Sequence, residues 1–163
     1  MTHPIVLQQL GRERPEVRRS IRGSKRELMM AALRNAPMFA YATDRDLRNV
    51  AKQAHHATAV AGKTLMHEGD PADRFYVVLD GKVRVTRNGR KVADLGAGKG
   101  FGELALLLGA PRNATVTAID ETELVSFDRK TFAKLLDESP AFARRLMQAV
   151  ATRLRELDAK AVQ

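Results

Sequence analysis

The sequence predicts an α+β protein, a β-roll or jelly-roll barrel of about eight short antiparallel strands with helices at both ends. Two observations carry this prediction. Between residues 58 and 127, apolar runs with a period of two are separated by glycine turns, which is typical of a sandwich, jelly roll or barrel. Before and after that region, apolar residues recur every three to four positions, as on one face of an amphipathic helix.

Turn residues divide the central region into strands. The strongest short signal is Asn88-Gly89, which predicts a type I′ hairpin turn between two of the strands. A stretch from residue 100 to 116 interrupts the alternating pattern. The expected strands are 58–61, 64–67, 74–79, 82–87, 90–94, 114–119 and 123–127.

Capping signals place the helices that precede the strands. Ser24 and Glu27 form the pattern S-x-x-E before an apolar run, which predicts a helix from there to about Asn35. Thr43 is expected to cap a second helix that continues to about Ala54.

The same signals place two helices after the strands. Asp128 is expected to cap a helix over 129–137, and Ser139 followed by Pro140 begins another. The last helix carries apolar residues at positions 142, 146, 150, 154 and 157, a stripe that we expect to pack in the core.

These elements define the domain organisation. Residues 1–23 are rich in arginine and broken by proline and glycine, and we expect them to form a basic, mobile arm. Residues 24–163 form one domain, with N-terminal helices over 24–55, the β-roll over 58–127 and C-terminal helices over 129–158.

The composition is that of a globular protein with excess positive charge. Hydrophobic residues make up 44% of the 163, and the formal net charge at pH 7 is +9, which favours anionic partners. No apolar run approaches the ~20 residues that span a bilayer, and the N-terminus lacks a signal-peptide pattern. We therefore expect a cytoplasmic protein without a membrane span.

One stretch, residues 101–118, combines groups of complementary chemistry. Residues 101–108 are expected to form a short helix whose free N–H groups attract an anion. The fork of Arg112 suits two phosphate oxygens and Glu103 suits a sugar hydroxyl, so the two, about ten residues apart, predict a sugar-phosphate site. The alternative is that Glu103 and Arg112 form only a salt bridge that fastens a loop.

The pattern F-G-E-L-A…P-R-x-A-T-V in this stretch resembles the phosphate-binding cassette of cyclic-nucleotide-binding domains, found in catabolite-activator-type regulators, kinase regulatory subunits and gated channels. The match is continuous over residues 101–116. The segment FYVVLDGKVRV and the turn before it extend the resemblance to about residues 40–138. The chain is accordingly identified as a stand-alone, bacterial-type member of this family without a DNA-binding module. The resemblance implies a bound cyclic mononucleotide and no catalysis by the domain itself.

By this resemblance, Glu103 accepts a hydrogen bond from the ribose 2′-hydroxyl and Arg112 pairs with the cyclic phosphate. The N–H groups of Gly102, Ala105 and Asn113 are expected near the ribose or phosphate oxygens. In relatives, threonine after the arginine often accompanies cyclic GMP, and alanine is common with cyclic AMP. Asn113 departs from both, and we favour cyclic AMP over cyclic GMP. The expected ligand contacts are Phe101, Gly102, Glu103, Leu104, Ala105, Arg112, Asn113 and Ala114.

The resemblance also implies a switch in which ligand binding moves the C-terminal helices. Leu106 in the cassette is expected to shift against Phe132 in the helix that follows the strands. The output is an altered contact with an effector that the sequence does not identify, and it does not fix the oligomeric state. A side chain of the last helix is expected to cover the base, the candidates being Arg144, Arg145, Arg153 and Leu154.

Two other functions remain open from sequence. A cupin-like metal enzyme would share the β-roll but needs convergent ligands, whereas the histidines, at positions 3, 55, 56 and 67, are scattered or adjacent. Adjacent strand residues point to opposite faces, so no metal is expected. A DNA-binding regulator would need further helices, and only six or so residues follow Leu157, so nucleic acid is not an expected partner. No catalytic residue is predicted.

Overall fold

Within residues 15–162, which the computed structural model describes, eight strands form two antiparallel sheets that face each other. The strands are β1 (His55–Ala59), β2 (Thr64–Met66), β3 (Arg74–Asp80), β4 (Lys82–Arg87), β5 (Arg90–Gly96), β6 (Gly100–Phe101), β7 (Thr115–Ala118) and β8 (Thr122–Asp128). The strand order is β1-β8-β3-β6 in the first sheet and β2-β7-β4-β5 in the second. The predicted roll of antiparallel strands is confirmed, as two open sheets rather than a closed barrel.

Helices flank the strand region on both sides, as predicted. The helices of the described residues are α1 (Pro15–Asn35), α2 (Asp44–Ala51), α3 (Arg129–Glu138) and α4 (Pro140–Val162). Two 3₁₀ turns accompany them, Pro37–Phe39 after α1 and Glu103–Leu106 between β6 and β7. We call the second of these the cassette turn.

Strand β3 is buried on both of its faces. Phe75, Val77 and Leu79 belong to the core that lies between the first sheet and the helices. Val78 belongs to the second core, which lies between the two sheets. Because strand side chains alternate and both faces of β3 are covered, the strand appears in the sequence as the nearly continuous apolar run FYVVL.

The hairpin between β4 and β5 forms as predicted. Asn88 and Gly89 both have positive φ angles, 52° and 76°, as a type I′ turn requires. The first predicted strand is shifted, because β1 begins at His55, where it pairs with Ser126 of β8. Helix α2 therefore ends earlier than predicted, at Ala51.

Helix α1 begins at Pro15 and not at Ser24, where the capping pattern predicted its start. Proline is favoured at a first helical position, and the intervening arginines are good helix formers. Gly23 costs about 1 kcal/mol relative to alanine in a helix, which is too little to end it. The part of the predicted arm before Pro15 lies outside the described residues, and the mobility of the arm stays a prediction.

Three phenylalanines join the N-terminal and C-terminal helices. Phe39 of the first 3₁₀ turn, Phe132 of α3 and Phe142 of α4 are all buried. Their ring centroids are 6.0 Å apart for Phe39 and Phe132, 6.3 Å for Phe39 and Phe142, and 5.9 Å for Phe132 and Phe142. Aromatic pairs at this range stabilise beyond the area that they bury. The two ends of the described chain therefore share one core.

An ion pair beside this cluster connects α4 to α2. Arg145 donates from Nε to Asp46 Oδ2 at 2.7 Å and from Nη2 to Oδ1 at 3.0 Å. Asp46 also accepts from the N–H of Thr43, and the Thr43 hydroxyl accepts from the N–H of Asp46, which confirms the predicted cap. Burial of Asp46 opposes its ionisation, but the hydrogen bonds from Arg145 and Thr43 outweigh burial, so the pKa of Asp46 lies below its usual value.

The apolar stripe of α4 is buried only over its first half, which corrects the prediction. Phe142 and Leu146 lie in the core, whereas Leu154 is 63% exposed. With 23 residues, α4 is about 35 Å long, and its second half extends past the aromatic cluster. Val150 and Leu157 of the stripe are exposed as well.

We predict that Phe142→Ala lowers the free energy of unfolding by about 3–5 kcal/mol, because it opens a cavity in the aromatic cluster. Leu154→Ala, on the same helix, is the matched control and should change stability by no more than about 0.5 kcal/mol. Urea denaturation followed by circular dichroism measures both. Equal losses for the two variants would contradict the one-sided docking of α4.

Candidate functional site

A cavity of about 710 Å³ lies beside the cassette turn. Its walls come from strands of both sheets, from the cassette and from the C-terminal end of α1. Seven of the eight predicted ligand contacts line it: Phe101, Gly102, Glu103, Ala105, Arg112, Asn113 and Ala114. The eighth, Leu104, belongs to the cassette turn.

The helix predicted over residues 101–108 is wrong. Gly100–Phe101 forms β6, which pairs with β3, and the cassette turn covers only Glu103–Leu106. The N–H of Ala105 donates to the carbonyl of Gly102 at 3.1 Å, so it is bonded within the turn in this structure. A four-residue 3₁₀ turn thus replaces the helix N-terminus that was expected to attract an anion.

Gly102 explains why the helix does not form. Its φ is +80°, a conformation that residues with a side chain rarely adopt. A Cβ at this position would lie 2.5 Å from Nη1 of Arg112. The turn therefore needs glycine both for its backbone conformation and for the close approach of the arginine.

Arg112 is a buried cation held by main-chain contacts. The residue is 7% exposed, and its Nη2 donates to the carbonyl of Arg74 at 2.8 Å. Its own N–H donates to the carbonyl of Asp70 at 2.7 Å, and its carbonyl accepts from the N–H of Gly69 at 2.8 Å. Burial lowers the pKa of Arg112, and the negative charge of Asp73 opposes that shift. A guanidinium nevertheless stays protonated in proteins, so the cavity contains a fixed positive charge.

Glu103 contributes a half-buried carboxyl group to the same cavity. Burial raises the pKa of Glu103, and the positive charge of Arg153 on α4 lowers it in part. A hydroxyl group that donates to this carboxylate would favour its ionised form. Glu103 is thus suited to accept a hydrogen bond from a ligand.

Glu103 and Arg112 do not pair with each other. Neither residue takes part in an ion pair within residues 15–162. The salt bridge that was the alternative interpretation is therefore not what the structure shows. An acceptor and a cation that line one cavity without neutralising each other suit a ligand with both a hydroxyl group and an anionic group.

Sequence reasoning missed Arg87. It is the last residue of β4, lines the cavity, and donates from Nε to the carbonyl oxygen of Asn113 at 2.9 Å. The period of the strand places it on the same face as Val83 and Val85, which could have located it. An arginine next to a hairpin turn is usually solvated, however, and the contact with Asn113 joins residues that are distant in sequence.

The two predicted switch residues lie in one core. Leu106 is 3% exposed and Phe132 is 2% exposed, and both belong to the cluster between the first sheet and the helices. Of the candidates to cover the base, Arg145 is bound to Asp46, while Arg144 and Leu154 are exposed. Arg153 is exposed as well and its Nη1 lies 3.5 Å from Oε2 of Glu156, but its charge lowers the pKa of Glu103 in part.

Within residues 15–162, no group of three or more histidine, cysteine, aspartate and glutamate side chains is arranged to hold a metal ion. Nε2 of His55 lies 3.3 Å from Oδ2 of Asp128, the N-cap of α3. His3 lies outside the described residues. No helix in this part of the chain is long and apolar enough to cross a membrane.

Comparisons with known proteins support the predicted family. The family model for the cyclic nucleotide-binding domain matches residues 57–139, about half of the chain. The N-terminal domain of a transcriptional regulator from Streptomyces coelicolor A3(2) superposes with a TM-score of 0.71 and 38% identity, covering 78% of this chain and 95% of that one.

A regulatory domain and a regulatory subunit of protein kinases are also similar to this chain. The regulatory domain of Toxoplasma gondii PKA, in a co-crystal structure with cAMP, has a TM-score of 0.61 and 33% identity, over 68% of this chain and 44% of that one. The cAMP-dependent protein kinase regulatory subunit of Yarrowia lipolytica is 42% identical over 89 residues, 55% of this chain and 24% of the relative.

The chain spans between 7% and 32% of the length of six curated relatives that it matches. The similarity therefore concerns one domain of longer proteins. The family-model match over about half of the chain, together with the likeness in fold, shows that this chain belongs to the cyclic nucleotide-binding domain family.

Proposed function

We propose that this domain is a sensor for a cyclic purine mononucleotide, with cyclic AMP favoured over cyclic GMP, and that it has no catalytic activity of its own. The observation that carries the proposal is the buried charge of Arg112, which lines a cavity and pairs with no carboxylate of the described residues. A buried cation without a counter-ion favours an anionic ligand, and a guanidinium fork matches two oxygens of one phosphate.

Other cavity residues are assigned to the ribose and to the base of the ligand. Glu103 accepts the ribose 2′-hydroxyl, and Gly102 allows the backbone to approach the sugar and phosphate closely. Asn113, directly after Arg112, also lines the cavity, and we assign its amide, which both donates and accepts hydrogen bonds, to the base. The N6 group of adenine is a donor that the amide oxygen can accept.

Two relatives support the choice of cyclic AMP. The Yarrowia lipolytica protein is described as a cAMP-dependent kinase regulatory subunit, and the Toxoplasma gondii domain was crystallised with cAMP. We extend this preference to the present chain and propose a cytoplasmic location, where a second-messenger nucleotide is made and sensed.

Signal output is proposed to run through the aromatic core. Leu106 belongs to the cassette turn and shares a core with Phe132, so a shift of the turn on phosphate capture alters the packing of α3. Phe132 contacts Phe142 of α4, which carries the movement to the last helix. Movement of α4 changes the surface offered to an effector protein. A ligand shifts such an equilibrium only by its preference for one state, so the coupling is mutual.

The first prediction concerns the phosphate. Arg112→Ala should weaken cyclic AMP binding by ~2–5 kcal/mol, or about 30-fold to several thousand-fold, because a buried phosphate loses its counter-ion. Arg112→Lys should also fail, since a point charge does not replace the fork. Isothermal titration calorimetry measures both, with exposed Arg48→Ala as the charge-matched control. Binding by Arg112→Ala within threefold of wild type would refute the assignment.

The second prediction concerns the sugar. Glu103→Gln should cost on the order of 1–2 kcal/mol in cyclic AMP affinity, because it removes the charge from the acceptor. 2′-Deoxy cyclic AMP should lose a similar amount on the wild-type protein and much less on the variant. Fully additive losses in this double cycle would mean that Glu103 does not touch the 2′-hydroxyl.

A pH series provides the control for the same role. Because burial raises the pKa of Glu103 above its ordinary value of 4.5, protonation begins at a higher pH than for an exposed glutamate. The hydroxyl prefers the ionised carboxylate, so affinity should fall as the pH is lowered from neutral through this raised pKa. Glu103→Gln should lack that part of the pH dependence.

The third prediction concerns the switch. Saturating cyclic AMP should change hydrogen exchange in α3 and α4, and Leu106→Ala should reduce that change while nucleotide still binds. Strand β1, none of whose residues lines the cavity, provides the internal reference. Unchanged protection over 129–158 at saturation would mean that the domain binds its nucleotide without signalling through its C-terminal helices.

A further inference from the structure

We propose that Arg87 donates a hydrogen bond to N7 of the purine base and so forms a second cationic contact in the site; this inference rests on the proposed function. Arg87 lies outside the cassette motif, at the end of β4, yet it lines the same cavity as Glu103 and Arg112. The cavity thus has one buried cation, Arg112, and two exposed cations, Arg87 and Lys99.

The bonding of Arg87 differs from that of the other arginine on its strand. Arg84, three residues earlier, donates to Asp94 at 2.9 Å and lowers the pKa of Asp94 to about 2. Arg87 takes part in no ion pair within residues 15–162, and Asn113 accepts only from its Nε. The two terminal nitrogens of Arg87 are therefore available to a ligand.

The ligand geometry brings the base to this position. With the phosphate assigned to Arg112 and the ribose to Glu103, the rest of the cavity lining is left for the base. The guanidinium of Arg87 donates to the carbonyl of Asn113. Asn113 directly follows Arg112, the proposed phosphate anchor. The cavity lining also includes apolar side chains that suit the face of a purine: Met66, Val85, Ala114 and Val116.

The hydrogen-bonding groups on the edge of the purine determine which atom Arg87 would contact. A guanidinium only donates hydrogen bonds, so its partner must be an acceptor. N7 is an acceptor in both purines, and it lies beside N6 of adenine, which donates, or O6 of guanine, which accepts. Arg87 on N7 leaves the adenine N6 group for the amide oxygen of Asn113. The two adjacent side chains thus share one edge of the base.

The test uses cyclic AMP and 7-deaza cyclic AMP, which lacks the N7 acceptor, with the full chain. On the wild-type protein, we expect the 7-deaza analogue to bind about five- to twentyfold more weakly. Arg87→Ala should lose a similar factor for cyclic AMP and should discriminate between the two nucleotides by less than about twofold. Arg84→Ala, on the opposite face of the strand, should keep the full discrimination.

Arg87→Gln provides a second variant that retains a donor for the carbonyl of Asn113 and keeps the test valid if Arg87→Ala does not fold. Equal discrimination against 7-deaza cyclic AMP in the wild type and the Arg87 variants would overturn the inference. An equal loss of affinity for both nucleotides in the Arg87 variants would also overturn it, because Arg87 would then act on the phosphate or on the cassette. These results leave the proposed function intact, whereas a wild-type protein that binds neither cyclic AMP nor cyclic GMP would refute both.

Discussion

The structure depends on the burial of one positive charge. Arg112 is almost fully buried without a carboxylate partner in the described chain, and a buried charge is costly unless polar groups compensate it. The carbonyl of Arg74 supplies part of that compensation, and an anionic ligand would supply the rest. The guanidinium also leaves no room for a side chain at residue 102, directly after β6. The guanidinium of Arg112 therefore affects both the charge of the cavity and the backbone that leads into the cassette turn.

The same arrangement underlies the switch proposed above, in which a small site acts on distant helices. The cassette turn forms part of the cavity on one side and contributes Leu106 to the helical core on the other. That core includes the aromatic cluster, and the cluster lies beside the ion pair of Asp46 with Arg145. Packed cores change between discrete arrangements rather than deforming continuously, so the proposed switch requires only a small shift of the turn to favour another position of α4.

Local signals in the sequence predicted most of the fold. The period-two strands, the Asn88-Gly89 turn and the cap at Thr43 depend on neighbouring residues, and the structure confirms them. The helix expected over 101–108 is absent because Gly102 has a φ of 80°, outside the right-handed helical region. The closeness of Gly102 to the guanidinium of Arg112 is a tertiary contact that local sequence patterns do not show.

The sequence predicted only part of the candidate site. The cassette motif gave seven of the residues that line the cavity, because these are close in sequence, and their contact with a ligand stays a prediction. Arg87, which reaches Asn113 from another strand, and Arg145, which reaches Asp46 from the last helix, were not predictable from spacing. The exposure of the second half of α4 also depends on how far the helix extends past its neighbours, which an apolar stripe does not reveal.

The most direct test of the central claim is a crystal structure of this chain with cyclic AMP. We expect the phosphate oxygens about 2.7–2.9 Å from the nitrogens of Arg112, and the ribose 2′-hydroxyl within hydrogen-bond distance of Glu103. A nucleotide bound elsewhere, or a phosphate in the cavity without contact to Arg112, would contradict the account.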